Sequence, residues 1–507
     1  MLNLSAFSAF HATRTPLAPA LIYEDRTITW CEFHTRVLRV AALLHAHGVA
    51  AGDVVALLMK NSPAFVELAF AVSHVGAVLL PINFRLAPDE VRYITGHAGA
   101  VLLVVDEELD RAGTVCARRI VLDAAAQRDA STLLPGDGGP PPVVRAGPDL
   151  HRLMYTSGTT DRPKGVMISY DNFYWKSLDL VMSLRLGASD RLLAVGPLYH
   201  VGALDLPGLA VLWMGGSMCV QRDFDPGATL AAIDRHRLTG AWMAPVMTNA
   251  VLGLADAGRF DLASLRWLIG GGERTPEQRI RAFSALFPRA RYIDAYGMTE
   301  TVSGDTLMEE GYEILKIGST GRPVAHVEIS IRDDAGNALP AATQGEICMR
   351  GAKVSSGYWR DERTTALSFH RDGWLRSGDV GYLDADGFLF LTDRKKDLII
   401  SGGENIASSE VERVIYDLPQ VSEAAVVGVP DARWGERPVA VVVLRAGARL
   451  ELDTLVAHCR AHLAGFKVPR ELIVRDTLPR NPSGKVLKRV LREEFARSAQ
   501  CDNDADA

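Results

Sequence analysis

The chain has 507 residues, of which 48% are hydrophobic and 23% charged, and its formal net charge is -6. That length asks for at least two domains, and the composition allows each a substantial core. So mild an acidic balance, with no lysine/arginine block, excludes a protein whose main task is to hold nucleic acid.

From about residue 52, short apolar runs alternate with longer amphipathic ones: "DVVALLMK", "SPAFVELAFAVSHVG", "AVLLPI", "APDEVRYITGH" and "AVLLVV". The Gly/Pro-rich stretch "PGDGGPPPVVRAGPD" (135–149) reads as a loop or linker. The same rhythm returns with "RLLAVG", "GAWMAP" and "RWLIGG". Strand–helix–strand repetition predicts α/β layering, with parallel and mixed sheets flanked by helices. The last hundred or so residues predict a smaller α+β unit. In it "SSEVERVIYDL" sets Ser409 and Glu412 at capping-box spacing and aligns Val411, Val414, Ile415 and Leu418. Strands "EAAVVGV" and "PVAVVVLR" follow, then a helix aligning Leu452, Leu455, Val456, Cys459 and Leu463, and a final strand "ELIVRD". The acidic tail "SAQCDNDADA" reads as disordered.

The six cysteines (Cys31, Cys116, Cys219, Cys348, Cys459 and Cys501) form no C-x-x-C pair, which is the usage of a reducing cytosol. The opening "MLNLSAFSAFHATRTPLAP" has no basic stretch before a sustained apolar core, and runs such as "VVALLM" are too short to span a bilayer. A cytoplasmic protein without a transmembrane segment is expected.

After the apolar "LMYT" comes "YTSGTTDRPKGV" (155–166), a Ser/Thr/Gly loop ending in Pro-Lys-Gly. Such a loop is either a phosphate cradle of backbone amides or a solvated turn; the Walker pattern is absent. Six further segments follow in order: "PLYHVGA", "GGGERTP", "YGMTE", "LRSGDVG", "DRKKDLIISGGENI" and "NPSGKVLKR". Together the seven resemble the signatures of the adenylate-forming superfamily, in its acyl-CoA synthetase branch, from about residue 10 to about residue 495. The resemblance implies a large N-terminal AMP-binding domain (1–393), a hinge (394–396) and a small mobile α+β domain (397–497), followed by the tail (498–507).

It also implies roles. Thr156, Ser157, Gly158, Thr159, Thr160 and Lys164 suit the β- and γ-phosphates of ATP. Thr299 reaches the α-phosphate, and Glu300 holds Mg²⁺, a hard cation that favours oxygen. Read alone, Glu300 is a helix N-terminal acid. Gly270, Gly271, Gly272, Gly297 and Tyr296 form the adenine slot, with polar contacts from Glu273 and Asp294. Asp379 takes the ribose hydroxyls and Arg394 touches the ribose. Lys396 marks the hinge, although four charges in a row are ordinarily a surface turn. Lys485 is the catalytic lysine bridging carboxylate and α-phosphate; alone, it is one cation of a basic helix. His200 is expected as a pocket residue or gate, where a lone histidine is usually structural.

Ser401, Gly402, Gly403, Glu404 and Lys467 are expected to meet coenzyme A. The acyl pocket by position comprises His200, Val201, Asp205, Met243, Gly271, Gly297 and Val302. It is mostly apolar, which suits a fatty or aryl acid, with Asp205 keeping an amino-acid substrate open. The expected activity is ATP-dependent carboxylate–CoA ligation through acyl-AMP, with ATP, Mg²⁺ and coenzyme A. The rivals are an adenylation enzyme loading a carrier protein and a catalytically silent nucleotide-binding regulator; a homodimer is allowed. In the phosphate loop Asp161 stands where the family commonly has glycine, and it is expected to turn its carboxylate outward, toward Arg162.

Overall fold

The computed structural model describes residues 3–110, 118–134, 136, 138–156, 162–271, 275–394, 397, 399–401, 404–431, 434–480 and 486–495. Four sheets carry the fold. The first has six strands in the spatial order Arg119–Leu122, Ala100–Asp106, Val54–Leu58, Val78–Pro81, β1 (Leu150–Thr156) and β2 (Lys164–Ser169). Its strands pair parallel up to β1, and β1 and β2 close an antiparallel hairpin. All five residues of Val54–Leu58 are buried, as expected for a strand covered on both faces.

Helix α1 (Tyr170–Leu184) leaves β2 through a full capping box, in which Ser169 accepts from the Asn172 N–H and Asn172 answers the Ser169 N–H. The second sheet has nine strands. They run Arg26–Thr29, Pro19–Tyr23, Ser217–Val220, Arg191–Ala194, β3 (Gly240–Trp242), β4 (Trp267–Gly271), β5 (Arg291–Tyr296), Thr306–Leu307 and Arg322–Pro323. The helix Pro63–His74 is buried on every side, starting from an N-cap at Ser62 with proline at its first turn. One continuous core joins this helix to both sheets. The Gly/Pro-rich segment forms no regular element, yet it is anchored. The Val143 N–H donates to the His74 carbonyl, and the His74 ring meets the Pro140 carbonyl at 2.8 Å.

A third, antiparallel sheet comprises Glu328–Arg332, Gly345–Arg350, β6 (Leu375–Leu383) and β7 (Leu389–Arg394). The chain then enters a fourth sheet built from β8 (Ile399–Ser401), β9 (Glu404–Ile406), β10 (Val421–Asp431), β11 (Gly435–Leu444) and β12 (Glu471–Val474). Helices α2 (Ser408–Tyr416) and α3 (Leu452–His462) pack on it around Val411, Ile415, Val426, Leu455 and Cys459. The predicted apolar faces hold except at Leu452, which is exposed at the first position of α3.

The predicted capping box does not form. α2 begins two residues earlier, after Ala407, so Ser409 lies inside the helix and donates to the Thr392 carbonyl of β7. Glu412 instead accepts from the Val426 N–H at 2.7 Å and pairs with Lys488 at 2.8 Å. Tertiary partners took both side chains from the helix end. Among the described residues no helix is long and apolar enough to cross a membrane.

Candidate active site

The β1–β2 hairpin closes on the pair Thr156 and Lys164, the two ends of the Ser/Thr/Gly loop. Ser157, Gly158, Thr159, Thr160 and Asp161 lie outside the described residues. The Lys164 ammonium stands 5.7 Å from the ring centre of Tyr358, and Arg162 lies over Tyr93 at 5.4 Å. These groups, with His97 and Asp361, line a cavity of about 160 Å³ beside the loop.

β5 ends at Tyr296 and runs into the tight turn Thr299–Thr301. There the Glu300 side chain is buried, and the Tyr358 phenol donates to its Oε1 at 2.7 Å. Burial, helped by the Glu300 carboxylate, raises the Tyr358 pKa, so the phenol keeps its proton. The two residues after the turn, Val302 and Ser303, adopt left-handed backbone (φ 58° and 66°), costly for a β-branched side chain. Lys353 pays for it: its buried ammonium donates to the Ser303 and Gly304 carbonyls at 2.9 and 2.7 Å and pairs with Asp305 at 3.1 Å. Gly297 is needed for the same close approach, since a β-carbon there would lie 2.4 Å from the Gly304 nitrogen.

At the end of β5, the Tyr296 hydroxyl donates to Asp379 Oδ2 at 2.9 Å. Burial first and the Asp379 charge second push the Tyr296 pKa well up, which keeps it a donor. Asp379 also faces Arg394 across the β6–β7 pair, so the two predicted ribose residues share one register position. Gly270 and Gly271 on β4 pair with Asp294 and Ala295 on β5. The Asp294 carboxylate accepts from the Thr275 hydroxyl at 2.5 Å within the buried layer. Gly272 and Glu273 are outside the described residues.

The residues expected at the acyl group divide between two depths. Val201 and Val302 pack together with Met154, Val166 and Ile168, directly under the phosphate hairpin. His200 stands 6.3 Å from the ring of Trp242, and its Nδ1 accepts from the Gly202 N–H at 3.2 Å. Burial lowers its pKa and Asp205 only partly offsets this, which favours the neutral imidazole. Trp242 lies so close over Gly196 and Gly202 that a β-carbon on either would meet the indole at about 2.5 and 2.4 Å.

Asp205 sits in the π-helical segment Val201–Gly208, with its carboxylate 2.5 Å from Arg152 and side-chain exposures of 2% and 1%. Its charge is answered by a guanidinium, which removes it as a seat for a substrate ammonium. Met243 packs in a separate core with Leu193, Cys219 and Phe283, whereas its neighbour Trp242 joins the core of His200's surroundings. Successive residues face opposite sides at the end of β3, so Trp242 turns toward His200 and Met243 to the other core.

In the C-terminal part, Ser401 and Glu404 are paired positions of the β8–β9 hairpin, and Ser401 also pairs with Gly435. Lys467 is held by Glu410 at 2.7 Å. Gly402, Gly403, Lys396 and Lys485 lie outside the described residues. Tyr358, Trp242, Arg152 and Lys353 were not singled out in the sequence. The signals available were cations, Arg152 and Lys353, inside otherwise apolar or small-residue surroundings, and an aromatic pair after a glycine, "GYW".

Among the described residues, Lys164 ends the β1–β2 hairpin beside Tyr358, Tyr358 donates to the buried Glu300 carboxylate, and Tyr296 donates to Asp379. Residues 9–359 match the family model described as AMP-binding enzyme, and residues 410–485 match that of the AMP-binding enzyme C-terminal domain. A feruloyl-CoA synthase from Amycolatopsis sp is 38% identical over 97% of this chain and 99% of that protein. A long-chain-fatty-acid–CoA ligase, FadD13, from Mycobacterium tuberculosis is 33% identical over 98% of this chain and 99% of its own. Among solved structures, the o-succinylbenzoate coenzyme A synthetase MenE from Bacillus subtilis, in complex with ATP and magnesium, superposes with a TM-score of 0.85. It is 31% identical, covering 97% of this chain and 99% of that one. The chain belongs to the AMP-binding enzyme family, in its acyl-CoA and aryl-CoA ligase branch.

Proposed function

We propose that this ATP-dependent carboxylate–CoA ligase takes an aryl or aryl-alkenoic acid as its acyl substrate. The observation that carries the reading is the Trp242 indole lying against the bare backbone of Gly196 and Gly202 beside His200. The indole packs directly on those glycines, which fixes its plane; in this reading its free edge meets the acyl group, and aromatic rings favour offset or edge contacts with another ring. The 38% identity to a feruloyl-CoA synthase supports the same class. With Asp205 committed to Arg152, no carboxylate among the described pocket residues remains to select an amino acid.

The chemistry runs in two half-reactions. The acid's carboxylate attacks the α-phosphorus of ATP and expels pyrophosphate; the coenzyme A thiol then attacks the acyl carbon of the adenylate and expels AMP. Activation is needed because a carboxylate is a poor electrophile. In our assignment Lys164 and the loop's amides hold the β- and γ-phosphates, while Tyr296 and Asp379 seat adenine and ribose. Thr299 donates to the α-phosphate. Lys485 stabilises the charge that builds on the phosphorus. The C-terminal part turns about Lys396 between the steps, bringing Ser401, Gly402, Gly403, Glu404 and Lys467 toward coenzyme A; Lys467 must then release Glu410.

Magnesium, when bound, neutralises phosphate charge and takes oxygen ligands. The described residues hold no cluster of three metal-ligating side chains, and the buried Glu300 carboxylate fits an ion carried mainly by the nucleotide's own oxygens. Free coenzyme A, rather than a carrier protein, is the acceptor in this reading; the work is cytoplasmic, and a homodimer is compatible with it.

A panel of carboxylic acids in a pyrophosphate-release assay tests the substrate class. Ferulate and related aryl acids should exceed C8–C16 fatty acids in kcat/KM by at least about tenfold, the low end of what a single unmatched methylene gives. A preference for the fatty acids overturns the reading. Offering a carrier protein in place of coenzyme A separates the two acceptors.

A further inference from the structure

We propose that Tyr358 is a positioning residue that holds the Glu300 carboxylate ready for the metal and ties it to the phosphate-loop lysine. The proposal rests on the reading of Glu300 as the metal's protein ligand. The phenol donates to Glu300 Oε1 at 2.7 Å, and the face of the same ring lies 5.7 Å from the Lys164 ammonium. One side chain therefore touches both charged groups that are to meet the nucleotide's phosphates, one through its hydroxyl and one through its π-face.

The backbone around Tyr358 is fixed to the phosphate hairpin itself. Tyr358 bridges to Val166, the Trp359 N–H donates to the Gly165 carbonyl at 2.8 Å, and the Met167 N–H donates to the Gly357 carbonyl at 3.0 Å. The Tyr358 N–H is taken by the Thr365 hydroxyl at 2.9 Å. Gly357 has φ 124°, and a β-carbon there would lie 2.3 Å from the Thr365 side chain, so only glycine lets the tyrosine turn in at this point. The Glu300 backbone is pinned from the same segment, its carbonyl accepting from the Ser355 N–H at 2.7 Å. Glu300 belongs to the turn after β5 in the second sheet and Lys164 to β2 in the first. Tyr358 is thus the strut between two sheets whose relative placement sets the distance from metal to loop.

A carboxylate with one oxygen already held by a phenol would lose little rotamer freedom when a cation arrives. Partners that orient a metal ligand in this way typically carry about 10–100-fold in metal affinity. Tyr358→Phe keeps the ring, its packing and the Lys164 contact, and removes only the hydroxyl.

The test titrates Mn²⁺ into the full-length protein with a non-hydrolysable ATP analogue, reading bound metal by electron paramagnetic resonance. The affinity for the metal-free analogue is measured in parallel, with Glu300→Gln as control. Tyr358→Phe should weaken the bound metal by about tenfold while changing metal-free analogue binding by less than about twofold, and Glu300→Gln should weaken the metal at least as much. If Glu300→Gln weakens the metal and Tyr358→Phe does not, the role of Tyr358 is overturned and Glu300's stands. If Glu300→Gln leaves the metal unaffected, the metal reading of Glu300 fails and the proposal falls with it. Equal weakening of analogue binding with and without metal also overturns it, because that marks a general disturbance of the loop.

Discussion

Tyr296 and Asp379 show how a single hydrogen bond can prepare a site. A buried tyrosine must donate somewhere, and donating to Asp379 fixes the carboxylate of the residue that pairs with Arg394 in the β6–β7 register. Gly297 acts through space alone: its missing side chain lets the strained Val302–Gly304 backbone pass. Gly297→Ala must displace that backbone and with it the Glu300 turn, so kcat/KM should fall on the order of a hundredfold, the effect of misplacing a reacting group by about 1 Å. Steady-state kinetics with the fold monitored by circular dichroism will check this. Asp161→Gly is expected to leave the KM for ATP nearly unchanged, and a large drop in KM would show that the aspartate's charge opposes the nucleotide. Residues within contiguous motifs were legible in sequence because their chemistry and spacing travel together. Tyr358 and Trp242 were not: each acts by lying against residues remote in the chain, Glu300 and Lys164 for one, Gly196 and Gly202 for the other.

At the scale of elements, the strands and helices follow their hydrophobic period, while the charges hidden between them do not. β1, α1 and the π-helical segment Val201–Gly208 enclose Arg152, Asp205 and Lys176, all buried, with the Lys176 ammonium donating to the Asp205 carbonyl. Breaking the pair by Asp205→Ala strands a buried guanidinium and should cost about 3–5 kcal/mol in denaturant unfolding. Combining it with Arg152→Met should recover most of that loss. Burial lowers the Lys176 pKa from 10.5 to about 7, against the attraction of Asp205. Between those values the unfolded chain binds more protons than the folded one, so this group's contribution to stability rises with pH across that window. Lys176→Met should flatten the rise seen by chemical denaturation between pH 7.5 and 10; an unchanged slope would show that Lys176 is not its source. The sequence announced none of this, because a lysine in an amphipathic helix ordinarily reads as a solvated face, whereas Lys176 lies on the buried side of α1 with Phe173, Ser177 and Leu180, away from the exposed Trp175 and Met182. The missing capping box at Ser409 has the same origin: a local pattern lost to partners on β7 and β10.

For the whole molecule, the sheet changes between β7 and β8, and the proposed function places there the turn of one part against the other. In the sequence that boundary is an expectation, drawn from the resemblance at "DRKKD" and from the different pattern of the last hundred or so residues; the contacts that each orientation makes have no local signature. In the proposed mechanism Lys485 acts in the first half-reaction and withdraws for the second, so the two should separate experimentally. The most direct measurement is carboxylate-dependent ATP–pyrophosphate exchange in the unaltered enzyme and in Lys485→Ala, together with thioester formation from chemically prepared acyl-adenylate and coenzyme A. The predicted result is exchange that requires the acid and falls by about 10²–10³-fold in Lys485→Ala, while thioester formation from the adenylate persists. Exchange without any acid, or undiminished exchange in Lys485→Ala, would contradict it.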